Sequence, residues 1–323
     1  MESIITLSIV QSALELGFIY ALVALALFIS FRILNIADLS TDGCFTLGCA
    51  VCASVTLAGH PVLGLFAAMA AGMCSGYVTA FLQTKLGIES ILAGIIVNTG
   101  LYTVNIAVMG FASNLNLFAC DSVFTWAKDS IGGTWYKLFT ASAITIFVGI
   151  VIFLFFRTRL GLSIRATGDN PDMVRASSIN TGAMIAIGLC LANALTGLSG
   201  GLLAQYQKSC DINLGTGMVT IALASLIIGE TILSRGGIGR RIVGVILGSC
   251  LYRLLVAVAL RMNVPAECLK LVSALIVAAA IALPYLKKQA VFYRQKRKAR
   301  EENERGLGTL LLCKKIMENG GDE

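Results

Sequence analysis

The sequence predicts an all-α protein that threads a membrane about nine times, and three observations carry that prediction. Only 43 of its 323 residues are formally charged (25 Lys+Arg and 18 Asp+Glu), which is 13% against roughly 25% in a soluble domain. Hydrophobic residues make up 57% of the chain. The charges are also unevenly spread. Residues 287–323 hold ten basic and six acidic side chains, and the first 286 residues hold only 27, between apolar runs of 18 or more residues. A helix of that length crosses a hydrocarbon core of roughly 30 Å. This arithmetic excludes a soluble globular enzyme, a disordered chain and a nucleic-acid module. The +7 net charge is no DNA-binding signal either, because +4 of it lies in the last 37 residues.

Read against their charged or Gly/Pro/Asn punctuation, the apolar runs place spans near 4–31, 39–59, 61–84, 88–111, 137–156, 183–207, 218–234, 242–260 and 269–286. The count is bounded at eight to ten. The first run follows Glu2 rather than a basic start and lacks an A-x-A site, so it reads as a retained span rather than a cleaved leader. Residues 1–286 then form a transmembrane domain, and 287–323 a charged tail.

Lys and Arg set the orientation. One set of connections holds Arg32, Lys85, Arg157, Arg159, Arg165, Arg175, Arg235, Arg240 and Arg241, with the ten basic residues of the tail. The opposite set holds Lys128, Lys137, Lys208, Arg261 and Lys270. The positive-inside bias puts the N-terminus outside and the C-terminal tail in the cytoplasm.

Two connections exceed a tight turn. The external one, 112–136, is polar and Asn-rich, with Trp126 and Trp135 suited to the interface. The internal one, 157–182, reads RTRLGLSIRATGDNPDMVRASSINTG. Asn170 can cap a helix, Pro171 fits its first position, and Asp172 suits the positive end of its dipole. A short cytoplasmic helix is expected to begin near Pro171, bracketed by Gly168 and Gly182, where it could dock a partner. The competing reading is a solvated loop with one helical turn.

The chain has no G-x-x-x-x-G-K-[ST] phosphate loop. GLSGG at 197–201 resembles a signature loop of transporter ATPases, but it lies inside an apolar run and reads as small-residue helix packing. Gly72/Gly76, Gly197/Gly201 and Gly244/Gly248 have the spacing of close helix crossings. His60 is the only histidine, so neither a triad nor a paired-histidine metal site is available. Its place before Pro61 reads as structural.

Of ten cysteines, Cys44, Cys49, Cys52, Cys74, Cys190 and Cys250 fall in apolar runs and read as packing residues. Cys49 and Cys52 form a C-x-x-C without a second pair, so no zinc site is expected. Cys120, Cys210 and Cys268 fall in predicted external loops, where a disulfide is open.

Ionisable groups inside spans are costly and therefore the first functional suspects. They are Glu15, Asp42, Glu230 and Arg253. In NIADLSTDGCFTLG, Asp38, Asp42, a Ser-Thr pair and Gly43 interrupt the apolar pattern, as a broken helix entering the bundle centre would require. Asp42 is open between a structural and a functional role. Glu230 and Arg253 are candidates for a structural ion pair or for positions near the cytoplasmic ends. Asn98, Thr99 and Asn105 sit in one span, with both asparagines on one helix face. They suit a path for a polar, net-neutral solute, or interhelical hydrogen bonds. The scarcity of facing carboxylates leans against a proton- or sodium-coupled carrier.

Several stretches together are similar to permease subunits of bacterial ABC importers of the branched-chain amino acid and ribose/nucleoside class. They are IADLSTDGCFTLGCAV, ILAGIIVNTGLYTVNIAVMG, RLGLSIRATGDNPDMVRASSIN, LTGLSGGLLAQYQ, LIIGETIL and ALPYLKK, in order across roughly residues 10–286. Within that class the IADLSTDGCFTLG form and the LAQYQ…DINLGTGM…IGE run look closest to tryptophan/tyrosine-type uptake permeases.

The resemblance implies that Arg165–Ser177 forms a coupling helix, with Arg165, Asp169, Asn170, Pro171, Asp172 and Arg175 at the contact with a cytoplasmic ABC ATPase dimer. ATP and Mg would be bound by that partner, leaving this chain without a cofactor or enzymatic activity. The other partners implied are an extracytoplasmic substrate-binding (lipo)protein and a second permease copy, in a homodimer or with a paralogue. The setting implied is the bacterial cytoplasmic membrane. The pathway would run past 38–48 and 92–105, with Asp42, Thr46, Asn98, Thr99 and Asn105 on it. The solute implied is an aromatic amino acid, with a branched-chain amino acid, sugar or nucleoside as alternatives. The alternative mechanism is an ion-gradient-driven carrier. The tail lies outside the shared pattern.

Overall fold

A computed structural model of the protein describes residues 7–133, 135–233 and 236–261, with scattered positions between 271 and 297. Helix α1 (Leu7–Leu27) runs on into a π-helical turn, Phe28–Ile33, and an irregular stretch leads to α2 (Thr41–Leu57). Then come α3 (Pro61–Thr84), α4 (Ser90–Val108), strand β1 (Asn114–Asn116), α5 (Val123–Ile131) and α6 (Tyr136–Phe155). Helices α7 (Arg159–Asp169) and α8 (Pro171–Ala176) precede α9 (Thr181–Gln207), strand β2 (Ser209–Asp211), α10 (Met218–Ile232) and α11 (Ile238–Arg261).

Six of these helices are long and apolar enough to cross a membrane: α1 with its π-turn, α3, α4, α6, α9 and α11. Helices α2 and α10 are apolar but only 17 and 15 residues long, about 26 and 22 Å at 1.5 Å per residue. The eight therefore match the first eight expected spans. The ninth expected span, 269–286, and the tail of 287–323 fall mostly outside the described residues.

Two expectations are refined. The external connection is not all loop: β1 pairs antiparallel with β2, Asn114 opposite Asp211, and Ser122 and Thr125 close a capping box that starts α5. The internal connection forms two helices rather than one, with the break at Asn170. That residue precedes proline and is held extended (φ −156°, ψ 98°), as steric contact with the proline ring demands.

Helix α9 is the centre of the bundle and packs on α3, α2 and α1. The three G-x-x-x-G pairs all lie at crossings. Gly72 and Gly76 face the α9 backbone at Asn193 and Leu189, Gly197 and Gly201 face α3 and α2, and Gly244 and Gly248 face α10. Polar side chains in this apolar interior close on neighbouring backbone. Ser199 Oγ donates to Ile19 O (2.7 Å), Ser249 Oγ to Gly17 O (2.8 Å) and Thr145 Oγ1 to Phe18 O (2.9 Å). Gln205 ties the end of α9 to the starts of α3 and α5: its Nε2 donates to Pro61 O (2.7 Å) and its Oε1 accepts from Val123 N (3.1 Å).

Cys44, Cys49, Cys52 and Cys250 are buried, as packing requires, whereas Cys74 is exposed and Cys190 half-buried. Cys120 and Cys210 are free thiols, and Cys268 lies outside the described residues.

Candidate functional site

The site is built where two stretches of chain enter the bundle without being helical. After the π-turn, Asn35 takes a left-handed conformation (φ 57°), and residues 34–40 run from the π-turn to the middle of α9. There Asp38, 1% exposed, is fully engaged. Its Oδ1 accepts from Ser40 N (2.8 Å) and Ser40 Oγ (2.6 Å), and its Oδ2 accepts from Asn193 Nδ2 (2.9 Å). Thr79 Oγ1 of α3 donates to Ser40 Oγ (3.3 Å). Irregular backbone at this depth survives because protein covers it and satisfies it. The segment is thus a covered, non-helical entry leading into α2.

The second entry is Ile212–Gly217, which returns from β2 to the start of α2. Asp42 meets it: Oδ2 accepts from Gly217 N (2.9 Å) and Oδ1 from Val219 N (2.9 Å). A carboxylate on α2 therefore caps α10 from another helix, where the positive end of the α10 dipole favours it. Gly215 N donates to Thr46 Oγ1 (3.1 Å), and Gly215 packs on the Asp42 backbone.

Between these entries and α4 lies a cleft of about 310 Å³. All five residues expected on a pathway line it: Asp42, Thr46, Asn98, Thr99 and Asn105. Their tasks differ. Asp42 and Thr46 hold the clasp to α10. Asn105 Nδ2 donates to Gly43 O (3.1 Å), while its Oδ1 is buried without a protein partner. Thr99 is exposed and bonds back to Ile95 O (2.9 Å). Gly43 and Gly215 line it too, and so do Tyr102, Ile212, Asn213 and Thr216, which sequence reasoning missed. The signal for the last two was present in DINLGTG, whose alternating glycines and short polar residues suit a backbone folding back on itself. Apart from the capped Asp42, the wall is uncharged, its amides and hydroxyls set among apolar surface that includes Ile212 and the Tyr102 ring.

Glu15 is buried at the α1–α9 contact, accepting from Gln11 Nε2 (2.9 Å) and Tyr206 OH (2.8 Å). Glu230 and Arg253 do not pair, which corrects the expectation of an ion pair between them. Glu230 accepts from Arg32 Nε of the π-turn (2.7 Å), and Arg253 stacks over the Tyr20 ring (3.8 Å). The reason is register: Gly229 packs against Gly244 and Val245, so Arg253 lies more than two turns of α11 from Glu230. His60 is exposed and makes no cap bond at the start of α3.

On the side of Arg32, the six residues expected at a docking contact are all exposed on α7 and α8: Arg165, Asp169, Asn170, Pro171, Asp172 and Arg175. Ile164, Thr167 and Val174 turn inward, so the two helices lie on the bundle with one polar face outward. As expected, Asn170 Oδ1 caps α8, accepting from Asp172 N and Met173 N (both 3.1 Å), with Pro171 at the first position. Asn170→Ala is expected to loosen α8 by about 1 kcal/mol, read as faster amide exchange confined to 172–176. Unchanged exchange there would refute the cap. Gly168 seats α7 on the π-turn: a Cβ there would lie 2.8 Å from Ile33 C and 3.0 Å from Leu34 Cα.

Comparisons with known proteins agree on one kind of molecule. Residues 9–281 match a family described as the permease component of a branched-chain amino acid transport system. The chain is 32% identical over 272 residues to the tyrosine transport system permease protein of Clostridioides difficile (strain R20291), covering 84% of this chain and 90% of that one. It is 30% identical over 224 residues to the ribose import permease protein of Escherichia coli (strain K12), covering 66% and 65%. It is 27% identical over 183 residues to the galactose/methyl galactoside import permease protein of the same strain, covering 56% and 53%. No solved structure matches the chain.

Proposed function

This chain belongs to the family of branched-chain amino acid transport permeases, membrane subunits of ABC importers for small solutes, and from that premise we propose that it carries an aromatic amino acid into the cytoplasm, driven by ATP hydrolysis on a separate ATPase dimer. An extracytoplasmic binding protein delivers the solute. A second copy of the permease completes the path. The setting is the bacterial cytoplasmic membrane, with α7 and α8 on its inner side.

The observation that carries the reading is the cleft beside α4. A zwitterionic amino acid is polar and net-neutral, and Asn98, Asn105, Thr99 and Asn213 offer amide and hydroxyl groups without a free charge to trap it. The tyrosine transport permease of C. difficile, the relative with the fullest cover cited above, supports an aromatic solute.

Force from the ATPase enters at the exposed face of α7–α8. Gly168 bears on Ile33 and Leu34, and the chain from there to Asp38, Ser40 and α2 is continuous. Asp42 then links α2 to α10, and Arg32–Glu230 links the π-turn to the other end of α10. A shift of α7 thus reaches the α2 wall of the cleft through one covalent segment, and both ends of α10 through two polar clasps. π-Turns within long helices frequently mark such functional points.

The test is uptake of labelled tyrosine into proteoliposomes holding the permease, an ABC ATPase that co-purifies with it and a binding protein. Uptake is expected to require ATP, and Asn98→Leu is expected to lower it at least about tenfold, the effect of one lost hydrogen-bonding group in a polar site. Competition with leucine, ribose and a nucleoside reads the solute class. Uptake by this chain alone, without ATP under an ion gradient, would overturn the ATP-driven reading and favour a secondary carrier.

A further inference from the structure

A second, larger cleft of about 720 Å³ opens on the inner side, between the end of α3 and the start of α9, beside α8. Its lining is ordered along α3 and α9. Lys85 and Arg175 stand at the mouth with Thr181, the first residue of α9. One turn further in lie Phe81 and Ile185, and a turn beyond Phe81 lies Tyr77. Tyr77, Phe81 and Lys85 follow a four-residue spacing, so they form one stripe on α3.

The mouth is cationic. Among the described residues no Asp or Glu lines the cleft, and Arg175 pairs only loosely with the exposed Asp172, at 3.8 Å. Arg175 Nε donates to Thr181 Oγ1 (3.2 Å), which holds the guanidinium at the rim. Gln83, also in the lining, keeps its Nε2 buried with no protein partner. The amino end of a 27-residue helix at the same rim adds positive potential. Meanwhile the apolar walls are open: Tyr77 and Phe81 are both exposed.

We propose that this cleft is a binding site for an anionic phospholipid of the inner leaflet, with its phosphate at Lys85 and Arg175 and an acyl chain along Phe81, Tyr77 and Ile185. A cationic mouth over an apolar stripe selects a ligand that is both anionic and amphiphilic. Basic pockets between spans on the cytoplasmic side recognise lipid headgroups in this way. A soluble phosphate or carboxylate would use the mouth and gain nothing from the apolar walls. The bound lipid would brace α8 through Arg175. The proposal rests on the cytoplasmic placement of Lys85 and Arg175; it does not depend on which solute is carried.

The test uses the purified full chain in neutral detergent, with phosphatidylglycerol, phosphatidylcholine and inorganic phosphate as separate probes. Native mass spectrometry counts retained lipid, and thermal unfolding reads stabilisation. Phosphatidylglycerol is expected to be retained about tenfold more tightly than phosphatidylcholine, and Lys85→Gln with Gln83→Leu is expected to remove that preference. Lys85→Glu, a change at an exposed position that leaves the packed interior untouched, is expected to do the same, and Lys85→Arg to preserve it. Equal retention of phosphatidylglycerol by wild type and Lys85→Glu would overturn the proposal. So would equal stabilisation by inorganic phosphate, which marks a free-anion site. Spontaneous crosslinking of Tyr77→Cys between two copies would also overturn it, because a second copy would then cover the cleft. These readouts are of binding, so their failure leaves the uptake reading standing, and loss of uptake leaves them intact.

Discussion

Asp38→Ala is expected to destabilise the protein by roughly 4 kcal/mol, because it removes the acceptor from three buried donors that each cost about 1–3 kcal/mol when orphaned. Those donors are Ser40 N, Ser40 Oγ and Asn193 Nδ2, at 2.8, 2.6 and 2.9 Å. Water cannot replace the carboxylate readily, because Asp38, Ser40 and Asn193 are all at most 1% exposed. The measurement is the unfolding midpoint in detergent. Asp38→Asn presents an amide N–H toward Asn193 in place of an acceptor, and rotation of the Asn193 amide relieves part of the conflict. Its cost should therefore be smaller. The reciprocal exchange, Asp38→Asn with Asn193→Asp, again sets one amide against one carboxylate and is expected to recover most of the stability. An Asp38→Ala protein as stable as wild type would show that the clasp is incidental. A reciprocal variant no better than Asp38→Ala would show that the carboxylate must sit on residue 38.

The same residues show how far a sequence can be read. Helix existence was legible, because an apolar run between charged punctuation has few alternatives in a bilayer. Asn170 and Pro171 were legible too, since cap and proline act within three residues of themselves. The irregularity of NIADLSTDG was visible as a polar interruption, while the grouping of Asp42, Thr46, Asn98, Thr99 and Asn105, which line one cleft, came from the family resemblance. What that composition could not say was whom each group would bond. Asp42 caps α10, 175 residues further along, and Asp38 bonds Asn193, 155 residues along.

Register was the other hidden quantity. Glu230 and Arg253 carry opposite charges in neighbouring spans, so a pairing was reasonable. The glycine contacts of α10 with α11 decide otherwise, and Arg32 takes the carboxylate. The π-turn left no mark in FISFRI, whose residues suit an ordinary α-helix equally well. The return of Ile212–Gly217 was hidden for a different reason. Asp, Asn and Gly spell an external loop whether the chain stays outside or folds back onto a polar partner, and only the tertiary clasp to Asp42 distinguishes the two.

Gly197→Val is the second large effect to expect, and it tests the central crossing rather than a polar clasp. Gly197 sits in α9 where α2 and α3 both approach: its Cα face meets the Ala68 carbonyl of α3, and a Cβ there would also lie 3.2 Å from Ala68 C and 3.4 Å from Gly72 Cα. From the other side, a Cβ on Gly48 of α2 would lie 2.5 Å from Gly197 Cα. Three backbones thus meet at one point, and none can yield by rotating a side chain. Overpacking a core costs about 1–3 kcal/mol when side chains can shift; here backbone must move, so a loss of about 3 kcal/mol or more is expected. The cost should grow with volume, Gly197→Ala losing less than Gly197→Val. Gly100, on α4, has nothing within 4 Å of its Cβ position, and Gly100→Ala is the matched control, expected to stay near wild type. Because the helices have no hydrophobic force driving them together in lipid, the loss appears as a lower unfolding midpoint and a smaller yield of monodisperse protein. Equal midpoints for the Gly197→Val and Gly100→Ala proteins would mean that the close approach of α2, α3 and α9 does not hold the bundle together.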